Sequence, residues 1–223
     1  MCGKLLVRGE RGICRECREH LPVVTEPVCR HCGKPIADSR KAVCLDCAKK
    51  SSEIREGKAL WTYTEQMKSA IADFKYSGHM NSGEFFAEEL LRCGHDWICS
   101  RKVECIVPVP LHARKKRFRG FNQAEYLAGY LAENLQLPVC RALVRTRDTR
   151  PQKGLDDKQR AKNLRGVFEL TKDGLKVLRD VQRILLVDDI YTTGATLEEC
   201  ARALRTYSDF SVYSICLCIG KDY

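Results

Sequence analysis

Hydrophobic residues in the first 47 positions follow no sustained period, whereas beyond about residue 59 they fall into alternating strand-like and helix-like patterns. Residues 59–64 predict a short strand. From Glu65 onward, Met67, Ala70, Ile71 and Phe74 share one helical face, and the Ser77-Gly78 pair predicts the end of that helix. A second helix is expected over residues 83–97, burying Phe86, Leu90 and Trp97, followed by an apolar strand over 103–109 that Pro110 closes. Helical spacing returns over 122–135, with Tyr126, Leu127, Tyr130 and Leu131 apolar. Residues 167–170 and 183–187 read as strands, 194–204 as a helix and 210–219 as a final strand. The run from Ile184 to Val187 is apolar without a break, as in a central parallel strand covered on both faces. This alternation predicts an α/β fold, a mainly parallel sheet flanked by helices.

The head is different. Cys-x-x-Cys turns recur at Cys14/Cys17, Cys29/Cys32 and Cys44/Cys47, and seven of the 14 cysteines lie in the first 47 residues. So short a segment without a hydrophobic period needs staples, and thiolate-bound metal supplies them. Cys29, Cys32, Cys44 and Cys47 form two knuckles with eleven residues between them, a spacing that suits Zn²⁺ in a closed tetrahedral structural site. Iron–sulfur ligation or redox chemistry suits the same thiolates less well. The charged, serine-containing residues 49–58 read as a linker, giving a Cys-rich zinc ribbon over 1–52 and a larger domain over 53–223.

Composition narrows the classes. A hydrophobic content of 44% suffices for a core, and no apolar run reaches the roughly 18 residues a membrane span needs. Met1, Cys2 and Gly3 do not begin a signal peptide, so a cytoplasmic location is expected. The net charge of +10 favours polyanionic partners without choosing among them, and it is densest at Arg114, Lys115, Lys116, Arg117 and Arg119. The remaining seven cysteines sit among apolar neighbours and read as small hydrophobes.

The strand at 184–187 runs directly into Asp188, Asp189, Ile190, Tyr191, Thr192, Thr193, Gly194, Ala195 and Thr196, after which helical spacing begins. A loop between a strand's carboxyl end and a helix N-terminus offers free backbone N–H groups to an anion. Thr192, Thr193 and Thr196 add hydroxyl donors, and Gly194 permits a tight turn close to a phosphate. Ionised Asp188 and Asp189 accept hydrogen bonds from the vicinal hydroxyls of a ribose, or help hold a divalent metal that does so. The bland alternative is an acidic turn whose side chains cap the next helix.

Residues 187–196 resemble the phosphoribosyl pyrophosphate signature of type I phosphoribosyltransferases. Phe74-Lys75-Tyr76-Ser77-Gly78, Val107-Pro108-Val109-Pro110-Leu111, Arg119-Gly120-Phe121-Asn122-Gln123-Ala124, and the spaced Gln152, Leu155, Arg160, Asn163 and Phe168 resemble the ComF family, linked to DNA uptake and DNA utilisation. The resemblance covers nearly the whole length, Cys-rich head included. It implies a type I phosphoribosyltransferase fold that binds phosphoribosyl pyrophosphate with Mg²⁺. Pro108, Val109, Pro110 and Lys75 are then candidates for the pyrophosphate side, and the basic stretch 145–165, with Gln152, Arg160 and Asn163, for a lid that excludes water. In the family's double zinc ribbon, Cys2 looks like half of a first knuckle whose other half is missing here. A second zinc on Cys2, Cys14 and Cys17 is then lost, completed by His20, or completed by residues upstream.

Two functions remain open at this level. In one, Asp188, Asp189, Lys75 and Arg160 assist phosphoribosyl transfer to an unidentified acceptor. In the other, the domain senses phosphoribosyl pyrophosphate without turnover and binds single-stranded DNA or a protein partner such as a DNA-uptake helicase, with residues 114–119 contacting the nucleic acid. Asn122 fits a helix N-cap as well as a ligand contact, whereas Gln123 is harder to explain as a cap. No general base stands out: His79, His95 and His112 are isolated and read as structural or exposed.

Overall fold

The computed structural model describes residues 12–76, 80–149 and 157–220. Chain order is α1 (Arg15–Glu19), α2 (Leu45–Ala48), β1 (Glu56–Thr62), α3 (Glu65–Tyr76), α4 (Met80–Ser100), β2 (Cys105–Pro108), α5 (Ala113–Arg119), α6 (Gln123–Leu135), β3 (Leu143–Arg145), α7 (Asp157–Leu164), β4 (Phe168–Leu170), α8 (Lys172–Val177), β5 (Arg183–Tyr191), α9 (Ala195–Arg205) and β6 (Ser211–Ile219). The main sheet has four strands in the order β1-β6-β5-β2, every pair parallel, while β3 and β4 form a small antiparallel ribbon. The α/β reading holds, and the continuous apolar run of residues 184–187 lies in an interior strand as its composition predicts.

The period-2 geometry of β5 divides its side chains between two cores. Leu185 and Val187 pack with Met67, Phe74, Phe86, Leu90, Leu127 and Leu131 of α3, α4 and α6. Ile184 and Leu186 pack on the other face with Leu197, Cys200, Ala201 and Leu204 of α9 and with the thiols of Cys29, Cys32 and Cys44. Met67, Ala70, Ile71 and Phe74, the predicted inner face of α3, are all buried, as are Phe86 and Leu90 of α4. Trp97 is only partly buried and sets its ring edge-on to Tyr213, with Arg101 over its face.

The Cys-rich head straddles the β1 edge. Val24 N–H donates to Leu60 O, Thr62 N–H donates to Pro22 O, and Val23 bridges Trp61, so the outer edge of β1 is paired. Cys14 and Cys17 lie in the α3–α4 core, and Cys29, Cys32 and Cys44 in the α9 core. A head too small to bury its own apolar surface buries it against the sheet instead. The expected linker over 49–58 is correspondingly anchored: Ile54 is buried, Arg55 N–H donates to Val212 O, and β1 has begun by Glu56. The basic run at 114–119, which has no apolar period to announce it, is the short helix α5, started by the His112 side chain and ended by Gly120 at φ +83°.

Candidate functional site

Strand β5 does not stop at Val187. Asp188, Ile190 and Tyr191 stay in register with Cys216, Cys218 and Ile219 of β6, so the acid pair sits on a sheet strand and not in a free loop. The chain then turns through Thr192 and Thr193 to Gly194 at φ +80°, and α9 starts at Ala195. Glycine suits this turn, because its φ is left-handed and a Cβ on Gly194 would run into the Tyr191 hydroxyl. At the helix entrance the Thr193 hydroxyl accepts a long bond from Ala195 N–H at 3.4 Å, and Gly194 itself supplies no cap. The entrance N–H groups and positive dipole end therefore suit an anion.

The two acids have different surroundings. Asp189 accepts an ion pair from Lys75 Nζ at 2.8 Å, and both side chains are largely buried, at 13% and 17% exposure. Burial opposes the Lys75 charge, yet Asp189 and then Asp188 outweigh it and hold the ammonium above its ordinary value. Asp188 accepts from the Asp189 N–H at 2.9 Å. The protein packed around Asp188, and next the like charge of Asp189, push its carboxyl up to about 7, with Lys75 and Arg145 opposing.

A cavity of about 630 Å³ opens at the carboxyl ends of these strands, lined by Asp188, Asp189, Ile190, Thr192, Thr196, Lys75, Tyr76, Val109, Pro110, Leu111, Lys115, Arg119, Gln123 and Arg145, among others. Among the described residues two buried side-chain atoms lack a hydrogen-bond partner, Gln123 Nε2 and Arg145 Nε, and both residues line this cavity. Buried donors are otherwise satisfied in folded proteins, so two orphans in one cleft call for acceptors on a ligand. Asn122 both caps α6, accepting from Ala124 N–H at 3.1 Å, and donates to Val109 O at 2.9 Å, which fixes the loop after β2. A neighbouring cavity of about 710 Å³, lined by Lys49, Lys162, Arg165, Thr193, Ala195, Glu198, Glu199 and Arg202 among others, is larger. Its carboxylates are already engaged, Glu198 by Ser52 and Glu53 and Glu199 by Gly166 and Arg202, so it offers no comparable acid pair.

In the head, the sulfurs of Cys29, Cys32, Cys44 and Cys47 lie within 4.8 Å of one another, and Cys32 and Cys44 Sγ are 3.8 Å apart. Zn–S bonds of about 2.3 Å in a tetrahedron place sulfurs about 3.8 Å apart, so this cluster fits Zn²⁺ with four thiolates. Lys34, nearly buried, donates to Asp46 at 2.8 Å beside it. Cys14 and Cys17 are also buried, and Cys2 lies outside the described residues. His20 Nδ1 lies 2.7 Å from Glu16 O of its own helical turn.

Residues 1–48 match the family model of the double zinc ribbon domain. Competence protein F of Haemophilus influenzae is 33% identical over 147 residues, covering 64% of this chain and 63% of that protein. Competence protein ComFC of Bacillus subtilis is 31% identical over 151 residues, 68% of this chain and 58% of that protein. DNA utilization protein YhgH of Escherichia coli K12 is 36% identical over 116 residues, 51% and 48% of the two chains. The chain is thus similar to competence and DNA-utilization proteins. It spans about half to just under two thirds of the length of these relatives. No described helix of the chain is long and apolar enough to cross a membrane.

Of the candidate residues, the fold brings Asp188, Asp189, Lys75, Thr192, Thr196, Val109, Pro110 and Gln123 to one cavity. Pro108 ends β2 one residue behind that lining. Thr193 and Ala195 line the neighbouring cavity, Tyr191 packs beneath the turn against Gly194, and Asn163 on α7 stands apart from both linings. Gln152 and the Arg160 side chain lie outside the described residues, as do Ser77, Gly78 and His79. Sequence reasoning left Arg119 open between substrate, nucleic acid and solvent, and missed Lys115 and Arg145 as cavity residues, placing the one in a basic run and the other at the edge of a lid. Arg145 ends a short apolar segment, Ala142 to Val144, but it is one of several cations there, and its convergence on Asp188 is a product of the fold.

Proposed function

We propose that the cavity binds phosphoribosyl pyrophosphate together with Mg²⁺. The observation that carries this is the convergence of an acid pair, a glycine turn at a helix entrance and two partnerless donors, Gln123 Nε2 and Arg145 Nε, on one cleft. The turn at 192–196 takes the 5-phosphate through backbone N–H groups and threonine hydroxyls. Asp188 and Asp189 accept from the ribose hydroxyls, with Lys75 paired to Asp189 at 2.8 Å. Lys115, Arg119 and Arg145 with the loop 109–111 face the pyrophosphate, where cations stabilise charge that grows on a leaving group. Mg²⁺ would be held by pyrophosphate oxygens and the Asp188–Asp189 pair, and when bound it neutralises that same charge. The chemistry that follows is transfer of the phosphoribosyl group to an acceptor nucleophile. Zn²⁺ on Cys29, Cys32, Cys44 and Cys47 would be structural, with no open position.

Equilibrium dialysis with labelled phosphoribosyl pyrophosphate and Mg²⁺ tests the binding. Saturable binding that falls about tenfold in Gln123→Leu supports it. No saturable binding by the unaltered protein refutes it. Pyrophosphate release in a screen of nucleobases and amines then separates turnover from sensing.

A second reading rests on a separate observation at the mouth of the cavity. Tyr76 and Phe118 are exposed at 61% and 81% and meet edge-on at 6.3 Å, and the Arg119 guanidinium lies 5.1 Å over the Tyr76 ring. Aromatic faces among the cations of α5 suit stacked bases and a phosphate backbone, in keeping with relatives named for competence and DNA utilization. Single-stranded DNA binding that falls steeply with salt and weakens in Phe118→Ala would support this second role in a cytoplasmic DNA-uptake pathway.

A further inference from the structure

The turn that would receive the phosphate is built on the metal cluster. Tyr191, the last residue of β5, belongs to the same buried cluster as Cys29, Cys32 and Cys44, with Cys47 packed against it. Its ring runs under the turn, so close to Gly194 that no Cβ fits between. On the far side of the turn, Glu198 in the first turn of α9 accepts from the Ser52 hydroxyl at 2.6 Å and the Glu53 N–H at 2.8 Å, just beyond the second knuckle. Glu198 N–H in turn donates to Gly194 O at 2.9 Å. The first knuckle is keyed into β1: a Cβ on Gly57 would lie 2.6 Å from His31 O, and one on Gly33 2.8 Å from Ala59 N. Tyr191 before residues 192–196 therefore shares the buried cluster of the head's cysteines, and Glu198 after them is bonded to the segment that leaves the head.

We propose that Tyr191 and Glu198 are positioning residues that brace the phosphate-binding turn on the zinc cluster, so that metal occupancy in the head and ligand affinity in the cavity are thermodynamically coupled. Tyr191 on this reading touches no ligand, although its place in the signature suggests that it does. The coupling rests on the proposed function only for its ligand arm. The brace itself is a statement about this chain's own packing.

Amide hydrogen exchange on the full zinc-loaded chain tests the brace without any ligand. Stripping zinc with a chelator is expected to speed exchange in residues 192–198 by about tenfold or more, with little change at the amides of Ile106, Val107 and Val109 in and after β2. Because stripping can unfold the head, zinc-loaded Tyr191→Leu and Glu198→Ala provide the second arm. Both are expected to retain zinc and to loosen 192–198 selectively, with Tyr191→Phe restoring wild-type protection. Unchanged exchange at 192–198 in both zinc-loaded variants overturns the brace, whatever zinc removal does. In the ligand arm, saturating ribose 5-phosphate should tighten zinc in equilibrium competition with a chromogenic chelator in the unaltered protein, and linkage requires zinc to tighten ribose 5-phosphate by the same factor, about five- to a hundredfold. Ribose 5-phosphate that binds but leaves zinc affinity unchanged overturns the coupling. Ribose 5-phosphate that fails to bind at all counts against the phosphate site, while the exchange arm still decides the brace.

Discussion

Replacing Asp188 by Asn should stabilise the protein while abolishing ligand binding. Asp188 shares its corner with Asp189 among packed protein atoms, and its carboxyl is pushed up to about 7. An ordinary aspartate in the unfolded chain titrates near 3.9, so the folded state binds this proton more tightly, and stability is lost as pH rises from about 3.9 to about 7. At full ionisation the cost is about 4 kcal/mol as an upper bound, and about 2 kcal/mol once solvent reaching the acid from the cavity is allowed for. Asn keeps the oxygen that accepts from Asp189 N–H and removes the charge. Urea unfolding of zinc-loaded protein should show Asp188→Asn more stable by about 2 kcal/mol at about pH 8.5, or about 4–8 °C in Tm for a chain of this size. The advantage should shrink by about 1 kcal/mol at about pH 6, where zinc thiolates still hold and wild-type Asp188 is mostly protonated. An Asn variant less stable than wild type at about pH 8.5, or an advantage that does not change with pH, would refute the reasoning.

Lys75→Met should cost about 2–3 kcal/mol in urea unfolding, because it leaves Asp189 largely buried without its cation, the cavity side softening the full penalty of a broken buried pair. Gly194→Ala should cost about 1–3 kcal/mol through its φ of +80° and its collision with the Tyr191 hydroxyl, and calorimetry should show ribose 5-phosphate binding lost while zinc content is unchanged. Gln123→Leu should change stability by no more than about 1 kcal/mol, since it removes both the partnerless Nε2 and the Oε1 that accepts from Arg119 at 3.3 Å, and equilibrium dialysis should show ligand affinity about tenfold lower.

The parts of the fold legible in the sequence are those where one local pattern decides the outcome. The apolar run at 184–187 could only be an interior strand, and the spacing of Met67, Ala70, Ile71 and Phe74 could only be one helix face. The head's dependence on the sheet was half legible: a segment with no period must borrow a core, but that Cys14 and Cys29 take opposite faces of β1 depends on tertiary packing. Helix α5 was missed because its residues carry charge all round and its stability comes from caps at His112 and Gly120. In the candidate site, Asp188 and Asp189 were legible because strand, acids and turn are contiguous. Arg145 was not, because residues 145 and 188 meet only through the β3–β4 ribbon packed beside the sheet. Tyr191 shows the opposite failure: it lies inside the signature, yet it breaks the alternation along β5, packing in the cluster of Ile184, Leu186 and the cysteines and not with Leu185 and Val187, and it does not line the cavity.

Isothermal titration of the zinc-loaded chain with phosphoribosyl pyrophosphate and Mg²⁺, alongside the double variant Asp188→Ala plus Asp189→Ala, tests the central claim most directly. Saturable one-site binding to the wild-type chain that the double variant loses is the predicted result. Equal binding by both proteins would mean that the acid pair at the end of β5 does not hold the ribose, and would contradict it.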